Sequence, residues 1–329
     1  MIPEPRLDRQ RRAHTLHCCK VILPECLFLA KKHQPKIHSS YRHYETMMRR
    51  STRPRIFAIA GLWLGLSSAQ AGTACPPVTR VGLSDLGYTS YREAGGKIGG
   101  ISVDIVNEIA RRTGCKFEFL WFPRQRLFVE LEAGRVDMTM AALRTPERDA
   151  YARYLPYAWL QYDLVLSEPP GQHYTSLTDF VARGTGRLNV TRGMTYDTAV
   201  ETQLALLAEA GRLEVVNDFE TVFGKLEMGR ADGTLATPPI YTKYLKNGNL
   251  KERTSVIPMP EATPRFTGVY LSKKTIPTAV RLRYAAALKT MVADQVVFNL
   301  YARYFDEATM KRSFRQGNGP LLAALSSPE

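Results

Sequence analysis

Residues 116–148 read KFEFLWFPRQRLFVELEAGRVDMTMAALRTPER and alternate between strand-like apolar runs and a helical pattern. The stretch predicts, in order, a strand over Lys116–Phe122, a helix over Leu127–Ala133 ended by Gly134, and a strand over Val136–Ala141. Thr145-Pro146-Glu147-Arg148 then places an N-cap residue, a proline and an acid at the start of a further helix. Strands and helices in alternation are typical of a parallel sheet covered by helices, so the chain is predicted to be an α/β protein.

The alternation continues on both sides of this stretch. Upstream, Val78–Ser84 predicts a strand and Ser102–Thr113 a helix; downstream, a second cycle of strands and helices runs over residues 188–236. Glu132–Asp137 and Glu227–Asp232 share one pattern, in which a glycine ends a helix and an aspartate opens the next strand. Each half of the chain is therefore expected to form one α/β lobe, although coincidence is the alternative because such helix endings are common.

The positive charge of the chain is unevenly distributed. The formal net charge is +14, from 45 Lys and Arg against 31 Asp and Glu in 329 residues. Residues 1–71 contain 13 of the basic and 4 of the acidic residues, which leaves 32 and 27 for residues 72–329. The excess belongs mostly to the N-terminal segment, so no nucleic-acid partner is predicted. The rest of the composition is that of an ordinary globular protein with about two domains.

Residues 47–71 have the order of a secretory signal peptide. Four arginines follow a pair of methionines, Ile56–Leu66 is uncharged, and Ala69-Gln70-Ala71 matches an A-x-A cleavage site. The uncharged stretch would rise only ~16 Å as a helix, about half of a bilayer core, which argues against a membrane anchor. We expect cleavage near Gly72, residues 1–46 to be untranslated or disordered, and the mature protein to be periplasmic.

Neither a metal site nor a lipid anchor is predicted near the N-terminus. The His-x-x-His-Cys-Cys run at residues 14–19 has no second pair of ligands at the spacing of a structural zinc site. A lipoprotein signal has an aliphatic residue three positions before its cysteine, where this chain has Gly72 before Cys75. The exported chain retains Cys75 and Cys115, which directly precede two strands predicted to be neighbours, and an oxidising compartment favours a disulfide between them.

Six motifs in a fixed order resemble one family. They are Tyr88-x-x-Tyr91, Gly100-Ile101-Ser102-Val103-Asp104-Ile105, Leu131-x-x-Gly134-x-x-Asp137, Thr145-Pro146-Glu147-Arg148, Gly193-Met194-Thr195 and Leu226-x-x-Gly229-Arg230-x-Asp232. Together they resemble the periplasmic solute-binding proteins of the polar amino-acid type, which feed ABC importers. The resemblance covers nearly all of residues 78–310 and rests on the order and spacing of the motifs, because each motif alone is common.

The resemblance implies a two-lobed, type II periplasmic-binding fold. Each lobe would be a mostly parallel sheet flanked by helices, with the ligand in the interlobe cleft and chain crossings near Ser167 and Gly268. The implied partners are a small amino acid or organic anion and the membrane permease of an ABC importer, with the binding protein itself a monomer. The implied boundaries are a first lobe over 78–167 and 268–310, a second lobe over 168–267, and a C-terminal tail over 311–329.

The expected binding site lies at two strand-to-helix turns, Leu143–Arg148 in one lobe and Arg192–Thr195 in the other. Backbone N–H groups at helix starts attract anions, and Arg148 adds a planar guanidinium that can hold a carboxylate through two hydrogen bonds. The alternative for Arg148 is a solvated surface arginine. Tyr88 and Tyr91 are expected to form apolar walls against the ligand, and the alternative for each is ordinary packing. The other candidate ligand-binding residues are Tyr88, Tyr91, Trp121, Arg124, Leu143, Met194, Thr195 and Thr237.

Two of these positions depart from the pattern of the family. Leu143 stands where amino-acid binders usually have a hydroxyl that helps to hold the α-carboxylate. Thr237 stands where they usually have a carboxylate for the α-amino group, and a threonine cannot supply that charge. A carboxylate-bearing solute is therefore expected, with the choice between an amino acid and another organic anion left open.

Two other functions are compatible with the same fold. A periplasmic enzyme similar to cyclohexadienyl dehydratases would need a group that titrates near neutrality, and the only histidine beyond residue 71 is His173, in a predicted surface loop. The G-x-S-x-G and H-E-x-x-H motifs of hydrolases are absent. A ligand-sensing subunit for a membrane receptor would have the same sequence features as a transport protein. We expect binding without catalysis, and no metal or cofactor.

Overall fold

A computed structural model describes residues 74–167, 173–246 and 249–327 of the chain. The predicted signal peptide and residues 1–46 lie outside the described residues. The strands are β1 (Thr79–Leu83), β2 (Tyr91–Arg92), β3 (Ile98–Gly99), β4 (Phe117–Trp121), β5 (Met138–Leu143), β6 (Ala152–Leu160), β7 (Asp163–Leu166), β8 (Leu188–Thr191), β9 (Leu213–Val216), β10 (Gly233–Ala236), β11 (Ser255–Pro258) and β12 (Arg265–Ser272). The helices are α1 (Ile101–Thr113), α2 (Arg124–Ala133), α3 (Pro146–Tyr151), α4 (Leu177–Arg183), α5 (Thr198–Glu209), α6 (Phe219–Glu227), α7 (Pro238–Leu245), α8 (Leu250–Arg253), α9 (Thr278–Ala293), α10 (Val296–Tyr301), α11 (Glu307–Ser313) and α12 (Gly319–Leu325).

The first sheet has five strands in the order β4-β1-β5-β12-β6. β1 is parallel to β4 and β5, whereas β12 is antiparallel to both β5 and β6. Residues four apart on α1 form an apolar stripe, and they are buried in one cluster with β1 and α9. The stripe consists of Ile101, Ile105 and Ile109.

The second sheet repeats this plan in the order β11-β7-β10-β8-β9. β8 is parallel to β9 and β10, and β7 is antiparallel to β10 and β11. Helices cover both faces, since Leu164 and Leu166 pack in the cluster that contains α5 while Val165 packs in the cluster that contains α6. The predicted fold class, with two sheets flanked by helices, is confirmed. The part of the chain built around each sheet is called a lobe below.

The chain crosses between the lobes at positions that differ from the predicted ones. β6 belongs to the first sheet and β7 to the second, so the first crossing lies at Gln161 and Tyr162 rather than near Ser167. The chain returns over residues 259–264, between β11 and β12, rather than near Gly268. The strand that was predicted to end the first lobe is therefore β7 of the second lobe.

The displaced boundary follows from β6, a strand of 9 residues that the sequence pattern does not predict. Pro156 lies inside β6, and a proline removes a hydrogen bond of the strand ladder, so the pattern argues against a strand. β6 is an edge strand, and its register with β12 shifts between Thr267 and Gly268, directly opposite Pro156. Prolines are tolerated at edge strands and irregularities of this kind.

The predicted C-terminal tail, residues 311–329, is instead part of the first lobe as far as residue 327. Met310 of α11 and Leu321 and Leu325 of α12 are buried in the main core of that lobe. Leu321 and Leu325 are four residues apart and therefore lie on the same face of α12. Apolar spacing of this kind in a short terminal segment indicates a packed helix.

The repeated helix-end pattern has the same role in both lobes. Its two glycines follow α2 and α6 and have φ angles of 77° and 64°, the left-handed conformation that ends a helix. Asp137 accepts a hydrogen bond from Arg80 N at 2.8 Å, and Asp232 accepts one from Arg187 N at 2.7 Å. Each aspartate thus holds the neighbouring strand near its start.

Cys75 and Cys115 form a disulfide in the structure, with Cα atoms 5.4 Å apart. β1 and β4 are parallel neighbours, so the segments that lead into them meet at the same edge of the first sheet. The disulfide joins these two segments and closes a loop that contains α1.

Candidate functional site

A pocket lies where the two lobes face each other. It is a concave space between the lobes that is partly open to solvent. Both lobes and both crossings contribute side chains to its wall. The lining residues that bear on its chemistry are Arg124, Ala141, Leu143, Arg148, Asp163, Gly193, Met194, Thr195, Thr237 and Arg312.

Arg148 reaches the pocket from the first turn of α3. Thr145 is the N-cap of this helix, as predicted, and its Oγ1 accepts a hydrogen bond from Arg148 N at 3.4 Å. Arg148 Nη1 donates to Leu143 O at 3.0 Å, and its guanidinium carbon lies 3.6 Å from the ring centre of Phe128. Burial lowers the pKa of Arg148. The side chain is thus fixed by a hydrogen bond and by stacking, and in the described part of the chain no carboxylate forms an ion pair with it.

Two of the backbone N–H groups that were predicted to attract an anion at this turn are already bonded within the protein. Thr145 N donates to Tyr270 Oη at 2.9 Å, and Arg148 N donates to the capping hydroxyl. α3 has only 6 residues, so its dipole is small. The guanidinium of Arg148, rather than the helix start, is the group at this turn that can hold an anion.

Arg124 is the first residue of α2 and is more deeply buried than Arg148, with 9% of its surface exposed. Its Nη2 donates to Ala141 O at 2.8 Å, whereas Nε and Nη1 are buried without a hydrogen-bond partner. The guanidinium carbon lies 4.8 Å from the ring centre of Phe128. Burial, together with the neighbouring Arg148 cation, lowers the pKa of Arg124 to about 10.

The turn after β8 forms the opposite wall. Gly193, Met194 and Thr195 all line the pocket, as predicted. Gly193 has a φ of 80°, and a Cβ added there would lie 3.1 Å from Gln125 N in the first lobe. A glycine is needed here because the turn is left-handed and touches the start of α2.

Both departures from the family pattern lie in the wall of the pocket. Leu143 is 5% exposed and packs in the same apolar cluster as Tyr162 and Tyr196. Thr237 precedes α7 and is 4% exposed. The pocket therefore presents an apolar side chain and a neutral hydroxyl at these positions.

The sequence analysis missed an acidic group in the pocket. Asp163 of β7 is 3% exposed and accepts a hydrogen bond from Tyr241 Oη at 2.9 Å. Arg312 of α11, in the first lobe, lies 3.5 Å from the same carboxylate and also donates to Tyr241 Oη. Burial raises the pKa of Asp163, and the Arg312 cation opposes this effect. A single acid within the apolar run Tyr162–Ser167 is the sequence signal that could have identified it.

Three candidate residues do not line the pocket, which corrects their predicted roles. The ring of Tyr88 lies 5.4 Å from that of Tyr304, and Tyr91 packs edge-on against Tyr88. Trp121 lies beneath Arg92, whose guanidinium carbon is 5.1 Å from the ring centre. The loop after β1 instead turns Leu86 and Thr89 towards the pocket.

Charged side chains give the pocket a positive potential. Among the described lining residues, Arg124, Arg148, Arg312 and Arg315 outnumber the one acid, Asp163. Arg312 is paired with Asp163, and Arg315 donates to Gln161 Oε1 at 3.0 Å. Arg124, Arg148 and Arg315 therefore have no acidic partner in the described structure, and an anion is the ligand that this arrangement favours.

Two other kinds of feature, a membrane-spanning helix and a metal site, are absent from the described residues. No helix within residues 74–167, 173–246 and 249–327 has both the length and the apolar character of a membrane span. The same residues contain no group of three or more His, Cys, Asp and Glu side chains that could bind a metal ion.

Comparisons with known proteins agree on one family. Residues 81–307 match the profile described as bacterial extracellular solute-binding proteins, family 3. A probable histidine-binding protein from Neisseria gonorrhoeae is 22% identical over 210 residues, which cover 64% of this chain and 76% of that protein.

Solved structures show the same fold. The substrate-binding protein of an amino acid ABC transporter is similar with a TM-score of 0.56 and 23% identity, over 69% of this chain and 99% of that one. An ancestral arginine-binding protein bound to glutamine has a TM-score of 0.58 and 20% identity, over 71% and 100% of the two chains. An ancestral amino acid-binding protein that is a precursor of cyclohexadienyl dehydratase has a TM-score of 0.57 and 22% identity, over 70% and 96%.

Proposed function

Because this chain belongs to the bacterial extracellular solute-binding proteins of family 3, we propose that it captures a small carboxylate-bearing solute in the periplasm. The solute is an amino acid or a related organic anion. It binds between the lobes, the lobes close over it, and the loaded protein delivers it to the membrane permease of an ABC importer.

The observation that carries this proposal is the fixed, unpaired guanidinium of Arg148 in a pocket lined by both lobes. Nη1 is used by Leu143 O, so the other N–H groups of the fork are available for a carboxylate. Stacking on Phe128 and the hydrogen bond to the backbone hold the fork before the ligand arrives. A preorganised guanidinium binds a carboxylate with less loss of side-chain entropy than a mobile one.

Binding without turnover fits the groups in the pocket better than catalysis does. The single described acid there, Asp163, is already bonded to Tyr241 and Arg312. His173, the one histidine of the exported chain, is exposed and is not among the lining residues. General acid–base catalysis needs a group that is free to exchange a proton with the substrate. We therefore retain the binding function and do not propose the enzyme.

A ligand screen tests the proposal directly. The purified exported chain would be heated with amino acids and with carboxylic acids, each at millimolar concentration, and its unfolding temperature recorded. A ligand present at 100 times its Kd adds about 2.7 kcal/mol to the free energy of unfolding. We expect stabilisation by at least one carboxylate-bearing compound and recovery of that compound unchanged after incubation. Stabilisation by uncharged sugars or cations alone would exclude the proposal, and chemical conversion of the ligand would indicate the enzyme.

The membrane partner of the protein distinguishes a role in transport from a role in sensing. We expect the loaded protein to stimulate the ATPase activity of its ABC importer in proteoliposomes. Loss of solute uptake in a deletion strain would support transport, whereas intact uptake with loss of a transcriptional or chemotactic response would indicate a sensory role.

A further inference from the structure

Arg124 is the buried group of the pocket whose hydrogen bonds are least satisfied. Its side chain is 9% exposed, and one of its nitrogens donates to Ala141 O at 2.8 Å. The other two, Nε and Nη1, are buried with no partner in the described structure. A buried cation without a counterion is energetically costly, so the pairing group is expected to come from outside the chain.

Glu130 of the same helix and Asp163 of the pocket wall are engaged elsewhere. Glu130, on the same helix, accepts from Arg126 Nε at 3.1 Å and also pairs with Arg135. Asp163, the described acid in the pocket wall, is bonded to Tyr241 and lies 3.5 Å from Arg312. No carboxylate in the described residues pairs with Arg124.

Arg124 lies beside the cation that the proposed function assigns to the ligand carboxylate. The guanidinium carbons of Arg124 and Arg148 lie 4.8 Å and 3.6 Å from the same point, the ring centre of Phe128. The two guanidinium carbons therefore lie no farther apart than the sum of these two distances. Each cation makes the other less favourable, and burial strengthens this repulsion. One negative charge on a ligand would neutralise only half of the positive charge of Arg124 and Arg148.

We propose that Arg124 binds a second anionic group, so that the solute is a short-chain dicarboxylate whose two carboxylates pair with Arg148 and Arg124. This inference rests on the proposed function, because it takes a carboxylate at Arg148 as its starting point. Nε and Nη1 of Arg124 each still have an N–H group to donate, so each can form a charge-assisted hydrogen bond to an oxygen of the second acid. The neutral Thr237 in the same wall is consistent with a ligand that is defined by its acids rather than by an ammonium group.

Matched acids test the proposal by titration calorimetry. Succinate, glutarate and adipate would be compared with butyrate, valerate and hexanoate, and L-glutamate with L-glutamine. We expect at least one diacid to bind the wild-type protein 30-fold or more tightly than the partner that lacks the second carboxylate. Arg124→Met should reduce this preference to less than threefold by weakening the diacid and leaving the partner compound unchanged.

Two controls separate ligand binding from folding. Arg126→Met removes an exposed arginine two residues along the same helix and should change neither affinity. The ligand-free Arg124→Met protein should unfold at the same temperature as wild type or higher, because a buried cation beside Arg148 is lost. Arg124→Gln, which keeps the donors without the charge, serves as the second variant if Arg124→Met does not fold.

The outcomes distinguish this proposal from the function on which it rests. Equal binding of diacids and their partners, or a preference that Arg124→Met and Arg124→Gln leave intact, overturns the dicarboxylate and keeps the carboxylate-binding function. Failure of every acid of both kinds to bind overturns both proposals. Both proposals are supported if Arg148→Ala loses binding to all compounds while the Arg124 variants lose only the preference for diacids.

Discussion

Arg148 presents its charge to the pocket from a fixed position, and its removal is the most direct perturbation at the residue scale. Arg148→Ala leaves a carboxylate without its partner in a largely dry cleft, which costs about 2–5 kcal/mol. We expect binding to weaken by about 30-fold to several thousand-fold, as measured by titration calorimetry. Arg148→Lys should recover only part of the loss, because an ammonium lacks the planar two-bond geometry.

The control for this change is Arg144→Ala. Arg144 is in the same loop, its side chain is 68% exposed, and it pairs with Asp149 at 2.7 Å. Its removal should leave affinity unchanged, since surface ion pairs contribute little. If Arg148→Ala binds within about threefold of wild type, Arg148 does not hold the ligand.

Gly193 is a second position where one residue is expected to control affinity. Gly193→Ala keeps a left-handed φ of 80° that disfavours alanine, and it places a Cβ 3.1 Å from Gln125 N in the other lobe. Separation of the lobes relieves the contact, so the over-close contact should penalise the closed form by about 1–3 kcal/mol and weaken binding by about 5- to 150-fold.

Gly211→Ala is the matched control. Gly211 also has a positive φ, of 64°, but no atom lies within 4 Å of its added Cβ. It should therefore lower the unfolding temperature without lowering affinity. Equal losses of affinity in the two variants would show that backbone strain, rather than contact between the lobes, explains the effect of Gly193→Ala.

At the scale of elements, the aspartate that follows α2 holds β1 in place. Burial alone would raise the pKa of Asp137, but hydrogen bonds from the side chain and backbone of Arg80 hold it below its usual value. Asp137→Asn should lower the free energy of unfolding by about 1–3 kcal/mol at pH 7, as measured by urea denaturation.

This loss should depend on pH. A carboxyl whose pKa is lowered by folding contributes its full stability above the pKa of the unfolded chain, about 4, and loses it as the pH falls through the folded value. The difference between wild type and Asp137→Asn should therefore shrink below about pH 4. Asp232→Asn is the equivalent change in the second lobe. Asp232→Asn should cost less, because the Asp232 side chain accepts a hydrogen bond from one backbone N–H in the described structure, and the amide oxygen of asparagine can still accept that bond.

Elements with local signals are predicted well from this sequence, and elements defined by distant partners are not. Thr145 starts its helix through its capping hydroxyl, and the glycines after α2 and α6 end theirs through a left-handed backbone conformation. β6 was missed because Pro156 is acceptable only at the edge of a sheet that the chain completes about 110 residues later. The interlobe contact of Asp163 with Arg312 joins residues far apart in the sequence, and neither residue has a local pattern that identifies the other.

At the scale of the whole molecule, contacts between the lobes close the cleft. Tyr88 N donates to Pro239 O at 2.8 Å, and Tyr244 Oη donates to Asp85 Oδ2 at 2.7 Å. These pairs join the loop after β1 in the first lobe to α7 in the second. A ligand that binds only the closed form has to shift the equilibrium towards it, so its apparent affinity depends on these contacts.

Tyr244→Phe should therefore weaken ligand binding although the residue does not line the pocket. Loss of one partly exposed hydrogen bond to a carboxylate costs about 1 kcal/mol, which corresponds to roughly fivefold in Kd. Small-angle scattering should show a larger radius of gyration for the ligand-free variant than for ligand-free wild type, and both should become more compact with ligand. Tyr304→Phe removes a bond to Asp104 within the first lobe and should change neither quantity. An unchanged radius of gyration on ligand addition would contradict closure.

The position of β12 has a consequence for the synthesis of the protein. β12 lies between β5 and β6 in the first sheet, yet residues 161–264 are translated between β6 and β12. At about 5–20 residues per second, the ribosome takes on the order of 5–20 s to cover that interval. Throughout this interval the nascent first sheet has β6 but no strand to pair it with, whereas all five strands of the second sheet are translated within the interval. The first sheet can therefore be completed only after every strand of the second sheet has been translated.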